Sequence, residues 1–303
     1  MNVLSLFDGI SCGRVALERA GIKVDRYVSY EIDPKAIKVS EANWHDIERH
    51  GDVTTANFTQ YGGFDVIVAG FPCQDLSISK RGRKGLEGER SGLFWQLVRA
   101  IEEVQPKYFL IENNYKMPQK DQDIITKTLG VEPILIYSGK VSAQSRYRLY
   151  WTNIPNVTQP KDLHIYLKDI VEHGSTNEKD LKSVTKFNGK KYKNYDRPAR
   201  IGTIGKGGQG ERVYSIEGKS VTLTALGGGR GAKGGLYLID GVVRKPTPIE
   251  SERLQTLPDN YTNCLSDNDR RKVIGNGWTV DVIAHILSFL PEEYKELNNE
   301  QNT

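Results

Sequence analysis

Cysteine is scarce in this chain: three residues, Cys12, Cys73 and Cys264, among 303. An odd number at wide spacing excludes a disulfide framework and points to reduced thiols in a cytoplasm-like compartment. No Cys/His grouping has zinc-ligand spacing, so no structural metal is expected. No apolar run approaches the length of a membrane span, and no basic-then-apolar leader follows Met1, so a cytoplasmic chain without a membrane partner is expected. No G-x-x-x-x-G-K-[ST] run occurs, which excludes a phosphate-cradling loop of that kind. What is present is ordinary globular composition, 26% charged and 38% apolar, at a length that supports one large domain and a smaller one. The net charge of +4 is uneven: residues 156–245 hold 17 Lys/Arg against 9 Asp/Glu, a local +8, which leaves −4 on the rest. A basic segment on a mildly acidic body suits a polyanion partner.

Up to about residue 155 the pattern alternates strand and helix. Val3 to Phe7 reads as a strand, Asp8-Gly9 as a turn, and Cys12 to Ala20 as a helix ended by Gly21. Tyr27 to Tyr30 reads as a second strand, before a helix opened by Asp33-Pro34. Further strands are expected at Phe64 to Ala69, Tyr108 to Ile111, Ile134 to Tyr137 and Arg148 to Thr152, with an amphipathic helix at Leu93 to Val104. Such alternation predicts an α/β fold, a parallel Rossmann-like sheet with helices on both faces. Residues 75–92 are polar, basic and glycine-punctuated, the composition of a lid beside a site. Residues 201–241 hold 13 of the 30 glycines between short β-like pieces such as Val221 to Thr224 and Leu236 to Ile239, which suits a small glycine-rich β module ending near Pro246-Thr247-Pro248. Val280 to Leu290 reads as a helix returning to the main body, and the tail beyond Glu292 as frayed.

Three groups of residues carry candidate chemistry. Phe7-Asp8-Gly9, between the first strand and its helix, forms an adenosine-binding turn. Glu31, ending the second strand, is placed to accept from both ribose hydroxyls, and Asp52 of Gly51-Asp52-Val53 from an adenine amino group. The turn lacks the full G-x-G-x-x-G spacing for pyrophosphate, so a nucleoside ligand without phosphates, as in S-adenosylmethionine, is favoured. Cys73 follows the strand-like run Val66 to Val68 through Gly70-Phe71-Pro72, at the strand end where open α/β sheets place ligands. Position alone does not separate a nucleophilic thiol from a small buried one that fills a gap. Glu112 ends the strand Tyr108 to Ile111, where apolar surroundings would raise its pKa and let it act as an acid. Arg146 and Arg148, two apart, would share one strand face and hold an anion or polarise a carbonyl.

In this order the segments Leu6-Phe7-Asp8-Gly9, Glu31, Asp52, Gly70-Phe71-Pro72-Cys73-Gln74, Glu112-Asn113, Gln144-Ser145-Arg146-Tyr147-Arg148, Arg253-Leu254-Gln255 and Gly275-Asn276 resemble the DNA (cytosine-5)-methyltransferase family over nearly the whole chain. The resemblance implies a catalytic and cofactor-binding domain at 1–155 and 268–303, and a target-recognition domain at 156–267. It implies methyl transfer from S-adenosylmethionine to C5 of a cytosine flipped out of double-stranded DNA. Cys73 would attack C6, Glu112 would act at N3, Arg146 would contact the base carbonyl, and Arg148 would shape the pocket. Phe7, Asp8, Gly9, Ile10, Glu31, Ile32, Asp52, Val53, Pro72, Leu93, Asn276, Gly277 and Trp278 would line the cofactor site, and the 75–92 loop would close over the DNA. A monomer of bacterial or phage type is implied, with a cognate restriction endonuclease as a candidate partner.

The chain departs from the family pattern at Ser11-Cys12, where Gly-Gly is usual, at Asn114, where Val is usual, and at Gly277-Trp278; the first and last resemble the animal de novo subgroup. A tRNA (cytosine-5)-methyltransferase of the same fold shares the cysteine and carboxylate, but has a different sequence around the cysteine and no recognition insert this long. A nicotinamide dehydrogenase leaves Pro72-Cys73-Gln74 and the paired arginines unexplained. A silent DNA-binding protein leaves Cys73, Glu112 and Arg146 without a purpose.

Overall fold

A computed structural model describes residues 1–72, 91–174, 186–226 and 229–296. The chain divides into two compact units, residues 1–136, 147–159 and 283–303 in the first, and 137–146 and 160–282 in the second. The sequence-drawn boundaries differ: residues 137–146 and 268–282 belong to the second unit, and 156–159 to the first.

The first unit is built on β1 (Asn2–Leu6), α1 (Cys12–Arg19), β2 (Arg26–Tyr30), α2 (Pro34–Asn43), β3 (Ile47–His50), β4 (Val66–Ala69), α3 (Phe94–Val104), β5 (Tyr108–Asn114), α4 (Gln119–Leu129), β6 (Ile134–Tyr137) and β7 (Tyr147–Thr152). Its seven-stranded sheet has the order β3-β2-β1-β4-β5-β7-β6. Pairing from β3 through β5 is parallel, while β7 runs antiparallel to β5, a departure from the all-parallel expectation. Both faces of the central strands are buried: Leu4, Val28, Ile67 and Ile111 on one side, Val3, Tyr27, Val66 and Leu110 on the other. That double burial is why these strands read as near-continuous apolar runs, broken in β1 and β2 only by the buried Ser5 and Ser29. On α3, Phe94, Leu97, Ala100 and Val104 recur at helical spacing and enter the core with Leu4, Leu6, Ile67, Ile111 and Trp151.

Local chemistry sets the boundaries. Asp33 accepts from the Lys35 N–H at 2.9 Å and Pro34 occupies the first turn, so α2 starts there. Gly130 ends α4 at φ +70°, a conformation that favours glycine. The strand expected to stop at Ile111 continues to Asn114, because β7 supplies partners through Asn114–Arg148 after the parallel pairing has ended. Fraying was expected from just beyond Glu292, but Tyr294 is buried, and its hydroxyl accepts from Lys107 Nζ at 2.8 Å; residues 297–303 lie outside the described residues.

The second unit carries a five-stranded sheet in the order β12-β11-β10-β9-β8, from β8 (Lys186–Phe187), β9 (Ala199–Thr203), β10 (Arg212–Ser215), β11 (Leu236–Ile239) and β12 (Val242–Arg244). The glycine-rich segment is therefore a β module, as expected. Val221 to Thr224 is not a strand, because its N–H groups are taken elsewhere: Val221 by the Tyr237 hydroxyl at 2.9 Å, Leu223 by Gln144 Oε1 at 2.8 Å, Thr224 by the Lys233 carbonyl at 3.0 Å. The chain does not leave this unit at Pro248. Thr247 and Glu250 form a reciprocal cap for α5 (Pro248–Leu254), and α6 (Asp267–Asn276) follows, before α7 (Val280–Leu287). Among the described residues no helix is long and apolar enough to cross a membrane.

Lys219 is wholly buried in this unit. Its ammonium donates to the carbonyls of Gly139 at 2.5 Å, Ile165 at 2.5 Å and Ser142 at 3.2 Å, under the Tyr166 ring. Burial pulls its pKa below the usual lysine range, partly offset by Asp162, Asp196 and Asp169. Lys219→Met leaves three buried acceptors without their donor, and a loss of about 3 kcal/mol is expected in urea unfolding, with faster amide exchange in 137–146. A wild-type urea midpoint would refute this role.

Candidate active site

Register pairs Leu6 with both Tyr30 and Ala69, Tyr30 with His50, and Ala69 with Ile111. These five residues form one row across the sheet, so Phe7-Asp8-Gly9, Glu31-Ile32, Gly51-Asp52-Val53, Gly70-Phe71-Pro72 and Glu112-Asn113 all begin at the same carboxyl edge. The strand order reverses around β1 and β4, which is where open α/β sheets hold ligands.

The turn after β1 is conformationally unusual: Phe7, Gly9 and Ser11 all lie in the left-handed region, at φ +58°, +60° and +59°. For Phe7 and Ser11 this is strained backbone, and polar closure holds it. The Asp8 carboxylate accepts from the hydroxyls of Ser5 (2.5 Å), Ser11 (2.6 Å) and Tyr27 (2.7 Å), while the Asp8 N–H donates to the Tyr30 carbonyl. Burial raises the Asp8 pKa against those hydroxyls and Arg49. Asp8 therefore holds the turn from within.

Glu31 ties the neighbouring loop to that turn. Its Oε2 accepts from the Gly9 N–H at 2.8 Å, and its Oε1 from the N–H groups of Ile32 and Asp33, both at 2.8 Å. Burial raises its pKa, with the three N–H groups working against it and Asp8 adding to it. A carboxylate offers about four acceptor positions, so three bonds leave capacity for one ligand hydroxyl. Ile32 is 69% exposed, an apolar side chain at the edge of the row. Asp52 is also exposed and caps the next turn through the Thr54 N–H at 2.8 Å. Arg99 of α3 supports that turn by donating to the carbonyls of Val53 and Ala56, each at 2.9 Å. An exposed apolar side chain and carboxylates with spare acceptors fit the adenosine part of S-adenosylmethionine. Ile10 is buried, and Phe7, Pro72 and Leu93 are half-buried.

Glu112 lies within β5 and meets Arg148 diagonally across the antiparallel pair, Nε to Oε1 at 2.9 Å, with both side chains largely buried. A guanidinium thus replaces the apolar surroundings expected for this carboxylate. The next residue, Asn113, is buried and donates through Nδ2 to the Phe71 carbonyl at 3.1 Å, so β5 grips the chain just before Pro72. Cys73 and the loop through Arg90 lie outside the described residues.

Arg146 is not on the strand with Arg148, since β7 begins at Tyr147. It is 4% exposed and donates to the carbonyls of Leu223 at 3.0 Å and Gly277 at 3.1 Å. Gln255 donates to the same Gly277 carbonyl at 2.8 Å and to Ile274 at 3.0 Å, and accepts from Gln144 Nε2 at 3.0 Å. Gln144-Ser145-Arg146, Arg253-Leu254-Gln255 and Gly275-Asn276-Gly277 therefore meet in one buried polar network of the second unit. Asn276 is exposed at the end of α6, and Trp278 is half-buried.

The profile of the C-5 cytosine-specific DNA methylase family matches residues 1–132 and 143–291. The Type II methyltransferase M.HhaI of Haemophilus parahaemolyticus is 33% identical over 310 residues, covering 94% of this chain and 93% of its own. This chain belongs to the C-5 cytosine-specific DNA methylase family. It is a DNA (cytosine-5-)-methyltransferase, with S-adenosylmethionine as methyl donor. The Type II methyltransferase M.HpaII of Haemophilus parainfluenzae is 30% identical, with 92% and 86% covered. In fold, the methyltransferase resembles the S. pombe Dnmt2 methyltransferase, with a TM-score of 0.73 at 18% identity, covering 96% of this chain and 98% of that one.

Several supports of the site went unread in the sequence. Gln144, Gln255 and Asn113 stood in the quoted motifs without a role, and Arg99 carried no local signal. Gly275 has a steric reason: a Cβ there would lie 2.4 Å from the Thr224 carbonyl carbon and 2.6 Å from the Ala225 nitrogen, both backbone atoms. Gly275→Ala is expected to destabilise the methyltransferase by about 2–3 kcal/mol, read as a lower thermal midpoint; unchanged stability would contradict the close approach.

Proposed function

We propose that this methyltransferase modifies cytosine within a specific double-stranded DNA sequence, on a base turned out of the helix, through a covalent Cys73–C6 bond. Extrusion is needed because C5 and C6 cannot be approached while the base is stacked. The observation that carries the reading is the end of β5, where Glu112 is paired with Arg148 and Asn113 holds the stem leading to Pro72-Cys73. The Cys73 thiolate adds at C6, and the C5–C6 double-bond electrons move toward C5. Glu112 protonates or hydrogen-bonds N3 and so draws the attack forward. Arg148 keeps the Glu112 carboxyl oriented, and Arg146 contacts the base carbonyl. S-adenosylmethionine, when bound, supplies the methyl group. Loss of the C5 proton and departure of the Cys73 sulfur restore the ring.

In this reading Glu31 receives a ribose hydroxyl, Ile32 lies against the adenine, Asp52 accepts from its amino group, and Phe7, Gly9, Val53, Pro72 and Leu93 complete the wall. The second unit, with its excess of Lys and Arg, reads the DNA sequence.

Cys73→Ser is expected to reduce methyl transfer below about a thousandth of wild type while leaving S-adenosylhomocysteine binding nearly intact. Wild-type activity in that variant would remove Cys73 as nucleophile. Duplex DNA carrying 5-fluorocytosine is expected to trap a covalent complex, because C5 then has no removable proton. An active enzyme that gives no shifted band on a denaturing gel would sink the covalent route. Bisulfite sequencing of DNA and tRNA from expressing cells identifies the base and its sequence context, and methylation confined to tRNA would overturn the choice of substrate.

A further inference from the structure

One pocket of the second unit takes no part in the chemistry above. Lys233, Lys245 and Arg271 line it together with Ser251, Leu223 and Pro246. Lys233 lies at φ +71°, between Ala232 and Gly234, in a conformation a glycine would adopt more easily. A long cationic side chain is thus held where the backbone disfavours it, a pattern associated with function. Its ammonium donates to neutral groups, the Asn268 carbonyl at 3.1 Å and Oδ1 at 2.8 Å. Lys245 forms no ion pair among the described residues. Arg271 donates to the Pro246 carbonyl at 3.1 Å and has Asp267 at 3.7 Å. Burial, then repulsion from Arg271, Lys245 and Lys272, lowers the Lys233 pKa against Asp269. Cations that repel one another around a shared cavity are relieved by an anion.

The pocket wall also leads to the active-site arginine. Leu223 accepts from Arg146 through its carbonyl and donates to Gln144 through its N–H. Ser251 stands on α5, which leads into Gln255.

We propose that Lys233, Lys245 and Arg271 form a phosphate-binding pocket that seats one phosphodiester of the substrate DNA. This deepens the DNA reading above and rests on it. A phosphate seated against Leu223 fixes the strand relative to the segment holding Arg146, a contact that positions the DNA without reading sequence.

The test is the salt dependence of binding by the full-length enzyme, with S-adenosylhomocysteine, to a labelled duplex of mixed sequence. Each lost phosphate contact lowers the slope of log K against log salt by about 0.9. Lys245→Gln and Lys233→Gln are each expected to show that fall, and Lys245→Arg to keep the wild-type slope. Wild-type slopes in both glutamine variants would overturn the pocket while leaving the methyltransferase reading intact. Failure of the wild type to bind duplex DNA would overturn both. Inorganic phosphate that broadens its ³¹P signal only with wild type, while the DNA slopes stay equal, would assign the pocket to a free anion and overturn the phosphodiester.

Discussion

Backbone pairing of β1 with β2 on one side and β4 on the other decides where the loops at the carboxyl edge of the sheet start. Because the register is parallel and unshifted, the parallel pairing ends in one row, Leu6, Tyr30, His50, Ala69 and Ile111, and the polar residues next in sequence share an edge. A slip of one residue in a central strand would exchange the side chains of two buried, close-packed faces, so neither would fit. Fold and site geometry thus have the same source. Glu31 and Glu112 come to that edge simply by following the apolar runs of β2 and of the first part of β5.

That economy explains what the sequence disclosed. β4 and the start of β5 were legible because four consecutive apolar residues announce a doubly buried strand, and β1 and β2 because one serine alone, Ser5 or Ser29, interrupts each run. β3 was not: Ile47-Glu48-Arg49-His50 has one apolar residue and lies at the edge of the sheet. α6, Asp-Asn-Asp-Arg-Arg-Lys-Val-Ile-Gly-Asn, buries only two large apolar side chains, Val273 and Ile274, and its third large buried side chain is Arg270, paired with Glu252 at 2.9 Å. Thr247 and Glu250 spell a capping box that marks α5, a readable signal that the apparent end of the β module obscured.

The site was legible as residues and only partly as geometry. Glu112, Glu31 and the Phe7 turn stand at the expected edge, yet their partners come from elsewhere: Arg148 from the next strand over, and Gly9 for Glu31 from 22 positions back. Arg146 was expected to mirror Arg148 on a strand. It instead reaches carbonyls 77 and 131 residues away, contacts that no local pattern encodes. Ser11, at φ +59°, is accommodated because its hydroxyl reaches Asp8 at 2.6 Å, with the Ser40 hydroxyl 2.7 Å away.

The reversed direction of β7 has a further consequence. For the parallel strands, the functional residues trail the strand, so insertions ahead of it leave the site alone. In β7, Arg148 stands at the second position of a strand that runs the other way, and the sensitive flank is the upstream one. Even a single deletion between Gly139 and Tyr147 would therefore drag the guanidinium out of register with its carboxylate.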